Sequence, residues 1–226
     1  MTEVPLYLDY FERLRRLDRR GAVELVRGYL AERDDVEGLY VEVLMPALIH
    51  TGREWERDRI SVAHEHYISE VTRDLVRQFG PRLWSEAGAT APAPAAVAVA
   101  CCPPGERHAL GLLMIGDVLR AEGLEVHMLG EGAPAGSVRD FVVESGADLL
   151  CLSVALEDHL PEAAELIALT RAARPGLAVM AGGAAFAGDA GRARAIGADH
   201  FAADARAARR LIRDLWTGTG KGGREP

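Results

Sequence analysis

Glu106 and His108 stand two positions apart in the stretch Gly105-Glu106-Arg107-His108-Ala109-Leu110-Gly111. A histidine beside a carboxylate makes a good metal ligand. One ring nitrogen binds the metal. The other donates its proton to the carboxylate, which fixes the tautomer and raises the basicity of the ligating nitrogen. The plainer reading is a histidine in a surface loop near an acidic residue, and spacing alone favours it.

The elements around the pair say where it sits. Val97-Ala98-Val99-Ala100-Cys101-Cys102 has the length, β-branched content and flanking prolines of a buried parallel strand. Pro103-Pro104-Gly105 break it. From His108 onward, Leu110, Leu113, Met114, Val118 and Leu119 recur at helical spacing, which predicts a helix over 108–121. The pair therefore projects from a strand-to-helix loop. In open α/β sheets that edge is where ligands bind.

The same alternation continues to the end of the chain. It predicts strands at 124–129, 148–153, 177–181 and 200–202, with helices at 137–144, 161–171, 191–195 and 205–216. Five such units imply an α/β fold, a flavodoxin-like doubly wound domain with a five-stranded parallel sheet over 97–216. Residues 1–86 read instead as a four-helix bundle. Leu6, Tyr10, Phe11, Leu14 and Leu17 mark its first helix; Gly21 interrupts; Val23, Leu25, Val26 and Leu30 mark the second. A third is expected over 39–49, and a fourth runs to Phe79 with Ser61 as its N-cap. The Ala- and Pro-rich run 87–96 is the expected linker, and 217–226 a disordered tail.

Two further strand ends carry unusual residues. The third strand ends in Leu152-Ser153-Val154-Ala155-Leu156, with a hydroxyl at the edge. The fourth ends in Ala181-Gly182-Gly183-Ala184, where missing side chains let a ligand approach the backbone. Ser153 as a turn cap and Gly182-Gly183 as a tight turn explain each alone. Their order on successive α/β units is harder to explain that way.

Glu106-x-His108-x-x-Gly111, then Ser153, then Gly182-Gly183 resembles the signature of flavodoxin-like cobalamin-binding domains. That family usually has Asp at the Glu106 position; the Glu form is similar to CarH/LitR-type photoreceptors. The resemblance implies that His108 is the lower axial ligand of cobalt and Glu106 its partner, with Arg107, Gly111 and Ala155 in the surrounding motif. Ser153 would hydrogen-bond the nucleotide tail, and Gly182-Gly183 would leave room for its base. A dinucleotide is not expected, because no GxGxxG follows the first strand.

The helical half is similar to the same photoreceptors. Pro46-x-x-Ile49-x-x-Gly52-x-x-Trp55 is followed, nine residues on, by Glu65-His66. In the family this bundle covers the upper face of cobalamin, with the Trp and Glu next to the upper ligand. Helical spacing puts Val62, Glu65, Ser69, Thr72 and Val76 on one face, small enough at Ser69 and Thr72 for Glu65 to reach a sugar hydroxyl. Ile60, His64, Tyr67, Ile68, Val71 and Leu75 form the expected core stripe. One departure stands out: Glu56 occupies the position at which the best-known members carry an upper-face His.

Composition limits the function classes. The chain has 226 residues, 49% hydrophobic and 27% charged, as in ordinary globular proteins. A net charge of −8 argues against nucleic acid as the main partner. No apolar run has membrane-spanning length, and the start lacks a signal peptide. Three cysteines make no disulfide framework, so a cytoplasmic setting with reduced thiols is expected, with no metal role for Cys101 and Cys102. The resemblance implies a non-enzymatic light-sensing signalling protein with adenosylcobalamin as its expected cofactor, and it leaves room for a bilin that no residue here indicates. The protein is expected to form a homodimer or higher oligomer and to signal through another protein. The alternatives are a corrinoid methyl carrier of a methyltransferase system and a binding module without cobalamin.

Overall fold

The computed structural model describes residues 4–85 and 94–217. Most of the expected linker and nearly all of the expected tail lie outside the described residues. The chain divides into two units, Met1–Leu83 and Trp84–Pro226.

The first unit is helical. α1 (Leu6–Arg15) buries Tyr10, Phe11 and Leu14. α2 (Arg19–Arg33) begins at Asp18, whose side chain accepts from the Gly21 backbone. Gly21 does not interrupt a helix, as expected from sequence; it makes the start of α2 possible. A Cβ there would lie 2.1 Å from the Asp18 carboxylate. α3 (Val36–Leu39), a π-helical turn (Tyr40–Leu44) and α4 (Met45–Glu56) follow one another without a gap, so the expected third helix is longer than 39–49. The π turn adds one residue per turn and so resets the helical phase. That phase lets Val36, Leu39, Tyr40, Val43, Leu44 and Ala47 all be buried. α5 (Val62–Phe79) starts at Ser61, whose hydroxyl accepts from the His64 backbone, as expected. A 3-10 turn (Gly80–Leu83) ends the unit.

Thr72 departs from expectation. It is fully buried, donates to the Ile68 carbonyl at 2.8 Å, and lies 2.9 Å from the Tyr10 hydroxyl. It belongs to the core rather than to the face that carries Glu65, as does Val76. A hydroxyl on a helix can satisfy itself against the carbonyl four residues back, so its polarity did not mark it as exposed.

The second unit alternates β1 (Val97–Cys101), α6 (Leu110–Ala121), β2 (Glu125–Gly130), α7 (Ala135–Glu144), β3 (Leu149–Ser153), α8 (Leu160–Ala173), β4 (Ala178–Gly182), α9 (Ala190–Ala195), β5 (His200–Ala202) and α10 (Ala205–Ile212). All the pairings are parallel, in the order β2-β1-β3-β4-β5. Val99, Cys101, Leu150, Leu152 and Val179 pack with α7, α8 and α9 residues. Ala98, Ala100, Leu149, Cys151 and Met180 pack with α6 and α10 residues. Alternate strand residues thus face opposite layers of helices, which is why these strands read as unbroken apolar runs. The strand order reverses between β1 and β3, and the carboxyl ends of these two strands flank the crevice.

β4 and the loop after it pack tightly. Gly183 has φ +116°, and a Cβ there would lie 2.2 Å from the Val154 carbonyl oxygen. A Cβ on Gly182 would lie 2.6 Å from the Ala202 carbonyl oxygen. The protein's own backbone fills the space that side chains would take. Gly183→Ala should therefore destabilise the protein by about 3 kcal/mol through backbone strain and overlap. Urea unfolding measures this, and a loss below about 1 kcal/mol would refute the steric account.

Candidate functional site

Pro103, Pro104 and Gly105 turn the chain away from β1. Glu106 then folds back under its own loop: its backbone N–H donates to the Pro103 carbonyl at 3.1 Å. Its side chain is fully buried. A buried carboxylate is costly unless donors surround it, and here six do. Oε1 accepts from the backbone N–H of Arg107 (2.9 Å), that of His108 (3.0 Å) and Nδ1 of His108 (2.5 Å). Oε2 accepts from the backbone N–H of Ala155 (2.8 Å), that of Leu156 (3.1 Å) and Nδ1 of His159 (3.1 Å).

This arrangement explains where α6 begins. The sequence pattern predicts helix from His108, but α6 starts at Leu110. The N–H groups of Arg107 and His108 are directed to the Glu106 carboxylate, so His108 stays in the loop. The carboxylate also ties the β1–α6 loop to the β3–α8 loop, across the point where strand order reverses.

Charge and tautomer follow. Burial alone would push the Glu106 carboxyl up. The hydrogen bonds from His108 and His159, and from the backbone of His108 and Ala155, outweigh it and hold the group well below the usual carboxylate range. An ionised carboxylate only accepts, so both imidazoles donate through Nδ1. In the neutral form of either ring the lone pair is then on Nε2. The His108 side chain is 56% exposed, whereas that of His159 is 20% exposed. His108 is therefore the imidazole presented outward, with its basic nitrogen away from the carboxylate. That donor suits a borderline metal ion such as cobalt.

The other residues of the motif lie nearby along the same edge. Gly111 is in the first turn of α6. Ser153 ends β3, half-buried, and pairs with Gly182. Ala155 contributes its backbone to Glu106. Cys102 lies behind the loop, its sulfur 4.0 Å from the His108 carbonyl oxygen. Burial pushes its thiol up to about 12, which keeps it protonated and unsuited to bind metal.

The residues of the helical unit form a separate set. Trp55 is 47% exposed near the end of α4, which closes at Glu56. On α5 the Glu65 carboxylate accepts from the Ser69 hydroxyl at 2.8 Å and meets Nδ1 of His66 at 2.5 Å. Ile49 and Val62 are also exposed, at 41% and 51%. Exposed apolar side chains of this kind can meet a flat, partly apolar ligand.

His159 was not anticipated. The signal was present: a histidine in the third strand-to-helix loop, at the same edge as His108. Only the fold shows that both rings meet one carboxylate.

Comparison with known proteins gives the family and the fold. Residues 96–212 match the model of the B12 binding domain, and residues 7–79 match a second model with the same description. The chain belongs to the B12-binding domain family. It is 35% identical over 120 residues to the HTH-type transcriptional repressor CarA of Myxococcus xanthus, covering 53% of this chain and 38% of that protein. It is 33% identical over 145 residues to the repressor CarH of the same organism, covering 64% and 46%. The chain thus spans less than half the length of these two relatives. The monomethylamine corrinoid protein of Methanosarcina barkeri has the same fold, with a TM-score of 0.78 at 19% identity over 93% of this chain and 98% of that one. The methanol:cobalamin methyltransferase complex MtaBC from that organism aligns at 0.51 and 16% identity, over 95% and 80%. These comparisons establish a CarH-like cobalamin-binding chain with a helical cap and a flavodoxin-like sheet domain. No helix among the described residues is long and apolar enough to cross a membrane.

The depressed Glu106 group gives a pH dependence with a definite sign. Its folded pKa lies below the unfolded value, so its contribution is complete above about pH 5 and is lost as pH falls below about 4.3. Glu106→Gln should remove that acid-sensitive part and lower stability at pH 7 by about 3 kcal/mol, because buried donors lose their acceptor. Urea unfolding of both proteins between pH 3 and pH 7, a range of about four units around the ordinary carboxylate pKa, measures both effects. Parallel pH profiles would contradict the assignment.

Proposed function

We propose that this protein is a cobalamin-dependent light sensor that passes its signal to another protein. His108 would hold the cofactor's metal through Nε2, and Glu106 fixes the orientation of its ring. Ser153 is assigned to the nucleotide tail, beside Gly182 and Gly183, whose missing side chains make room for the protein's own backbone rather than for the tail's base. Trp55, Glu65 and His66 are assigned to the adenosyl group. When bound, adenosylcobalamin supplies a cobalt–carbon bond that light breaks.

The chain's own residues do the rest. Glu106 keeps Nδ1 of His108 protonated, so the lone pair stays on Nε2. The Ser69 hydroxyl and His66 restrain the Glu65 carboxylate, which is 23% exposed, to accept hydrogen bonds from a sugar. The contacts that Trp55, Glu65 and His66 would make with the cofactor would differ between its dark and light forms. A change in bound species then shifts the population of domain or oligomer arrangements.

The observation that carries this reading is the pairing of two separate residue sets in one chain. The buried Glu106–His108 pair suits cobalt, and the exposed Trp55 with the Glu65–Ser69–His66 cluster suits an adenosyl group. The relatives at 33–35% identity are named as repressors, which supports a regulatory role over a carrier role. A homodimer or larger oligomer, a protein partner for output and a bilin as additional chromophore belong to the same proposal.

The test is to purify the protein with adenosylcobalamin in the dark and record absorption and size before and after green light. Retention with a light-dependent change in both supports the sensor. Retention with no response to light favours the corrinoid methyl carrier. No retention overturns both.

A further inference from the structure

Trp55 and Glu65, assigned above to the adenosyl group, stand on α4 and α5, and the residues 57–61 join those helices. That turn has a defined form. Asp58 has φ +55°. Its N–H donates to the Trp55 carbonyl at 2.9 Å, and the Arg59 N–H donates to the Glu54 carbonyl at 2.9 Å. A left-handed residue just past a helix end, with these two backbone bonds, is a Schellman closure. Such closures are commonly completed by an apolar contact between the third residue from the helix end and the second residue past the cap. Here those two positions hold Glu54 and Arg59.

An ion pair takes the place of the apolar contact. Nη1 of Arg59 donates to Oε1 of Glu54 at 3.1 Å, and Arg57 approaches the same oxygen at 3.6 Å. Arg15 on α1, itself bound to Glu12 at 2.8 Å, adds a third positive charge nearby. The Glu54 side chain is only 12% exposed. A carboxylate so withdrawn from water needs cations beside it, and the turn supplies them. Trp55, its neighbour in sequence, is by contrast exposed. Glu54 is thus committed to the turn and Trp55 is left for a ligand. Beyond the ion pair, Ile60 is buried, and Ser61 caps α5 one turn before Glu65. The path from Trp55 to Glu65 is therefore held at both ends, by Glu54 on α4 and by Ser61 on α5.

We propose that Glu54 is a positioning residue: its ion pair with Arg59 closes the α4–α5 turn and so sets where Glu65 stands relative to Trp55. Its consequence for cofactor retention rests on the function proposed above.

The turn is tested first in the full chain without cofactor. The Asp58 and Arg59 amides are both bonded to α4 carbonyls, so their hydrogen exchange reports opening of the closure. Glu54→Ala and Arg59→Ala should each exchange there about fivefold faster than the parent protein. The double variant Glu54→Leu with Arg59→Leu restores an apolar contact of the usual kind and should return close to the parent rate. Equal rates in the parent and both single variants, or a double variant as fast as the single ones, would overturn the closure. Dark release of cofactor is the second measurement. Adenosylcobalamin should leave both single variants about fivefold faster than the parent and the double variant at the parent rate. Methylcobalamin, with a methyl group in place of adenosyl, should leave all four proteins alike. Release of both cofactors speeded equally, or faster exchange with unchanged adenosylcobalamin release, would overturn the positioning role. A parent protein that retains no adenosylcobalamin would sink the proposed function, while the exchange rates would still decide the turn.

Discussion

The site depends on a single buried carboxylate. Glu106 has no exposed surface, yet it is charged, because six donors converge on it from two loops. That convergence fixes four things together. The β1–α6 loop is held against the β3–α8 loop. α6 begins at Leu110 rather than His108. The imidazole of His108 is turned so that Nδ1 faces inward and Nε2 outward. The crevice between β1 and β3 keeps its edges in register. A shorter or neutral side chain at 106 would leave buried donors without an acceptor, and their desolvation cost would fall on the residues that present His108.

His159 gives the carboxylate a second imidazole. It sits in the last position before α8, and its Nε2 lies 3.3 Å from where a Gly105 Cβ would be. Gly105 itself has φ +88°, a region that favours glycine. The glycine therefore serves both the turn and the close approach of His159. The mutual support of the two loops makes the site preorganised: little rotamer freedom remains to be lost when His108 engages a metal.

Much of this architecture was legible in the sequence. The apolar runs of β1, β3 and β4 stand out because helices cover both faces of the sheet. Ser61 marks the start of α5 because an N-cap hydroxyl has a specific partner to satisfy. The Glu106–His108 spacing was legible as a pair, though spacing alone favoured a plain surface loop. Periodicity could not show the π turn at Tyr40–Leu44, since a one-residue phase reset looks like a broad apolar stripe. It placed Thr72 on the wrong face because polarity does not reveal a hydroxyl bonded to its own helix. His159 is distant in sequence and meets Glu106 only through the fold. The run 87–96 read as a linker from composition; most of it lies outside the described residues.

The central claim is that Nε2 of His108, set outward by Glu106, is the nitrogen that binds cobalt. Electron paramagnetic resonance of the cobalamin-loaded protein, reduced to the cobalt(II) state, tests it most directly when the protein's histidines are labelled with nitrogen-15 and the cofactor is not. The account predicts that the nitrogen superhyperfine triplets of the unlabelled protein become doublets on labelling. Triplets that persist in the labelled protein would mean that the cofactor's own base is the ligand, and would contradict it.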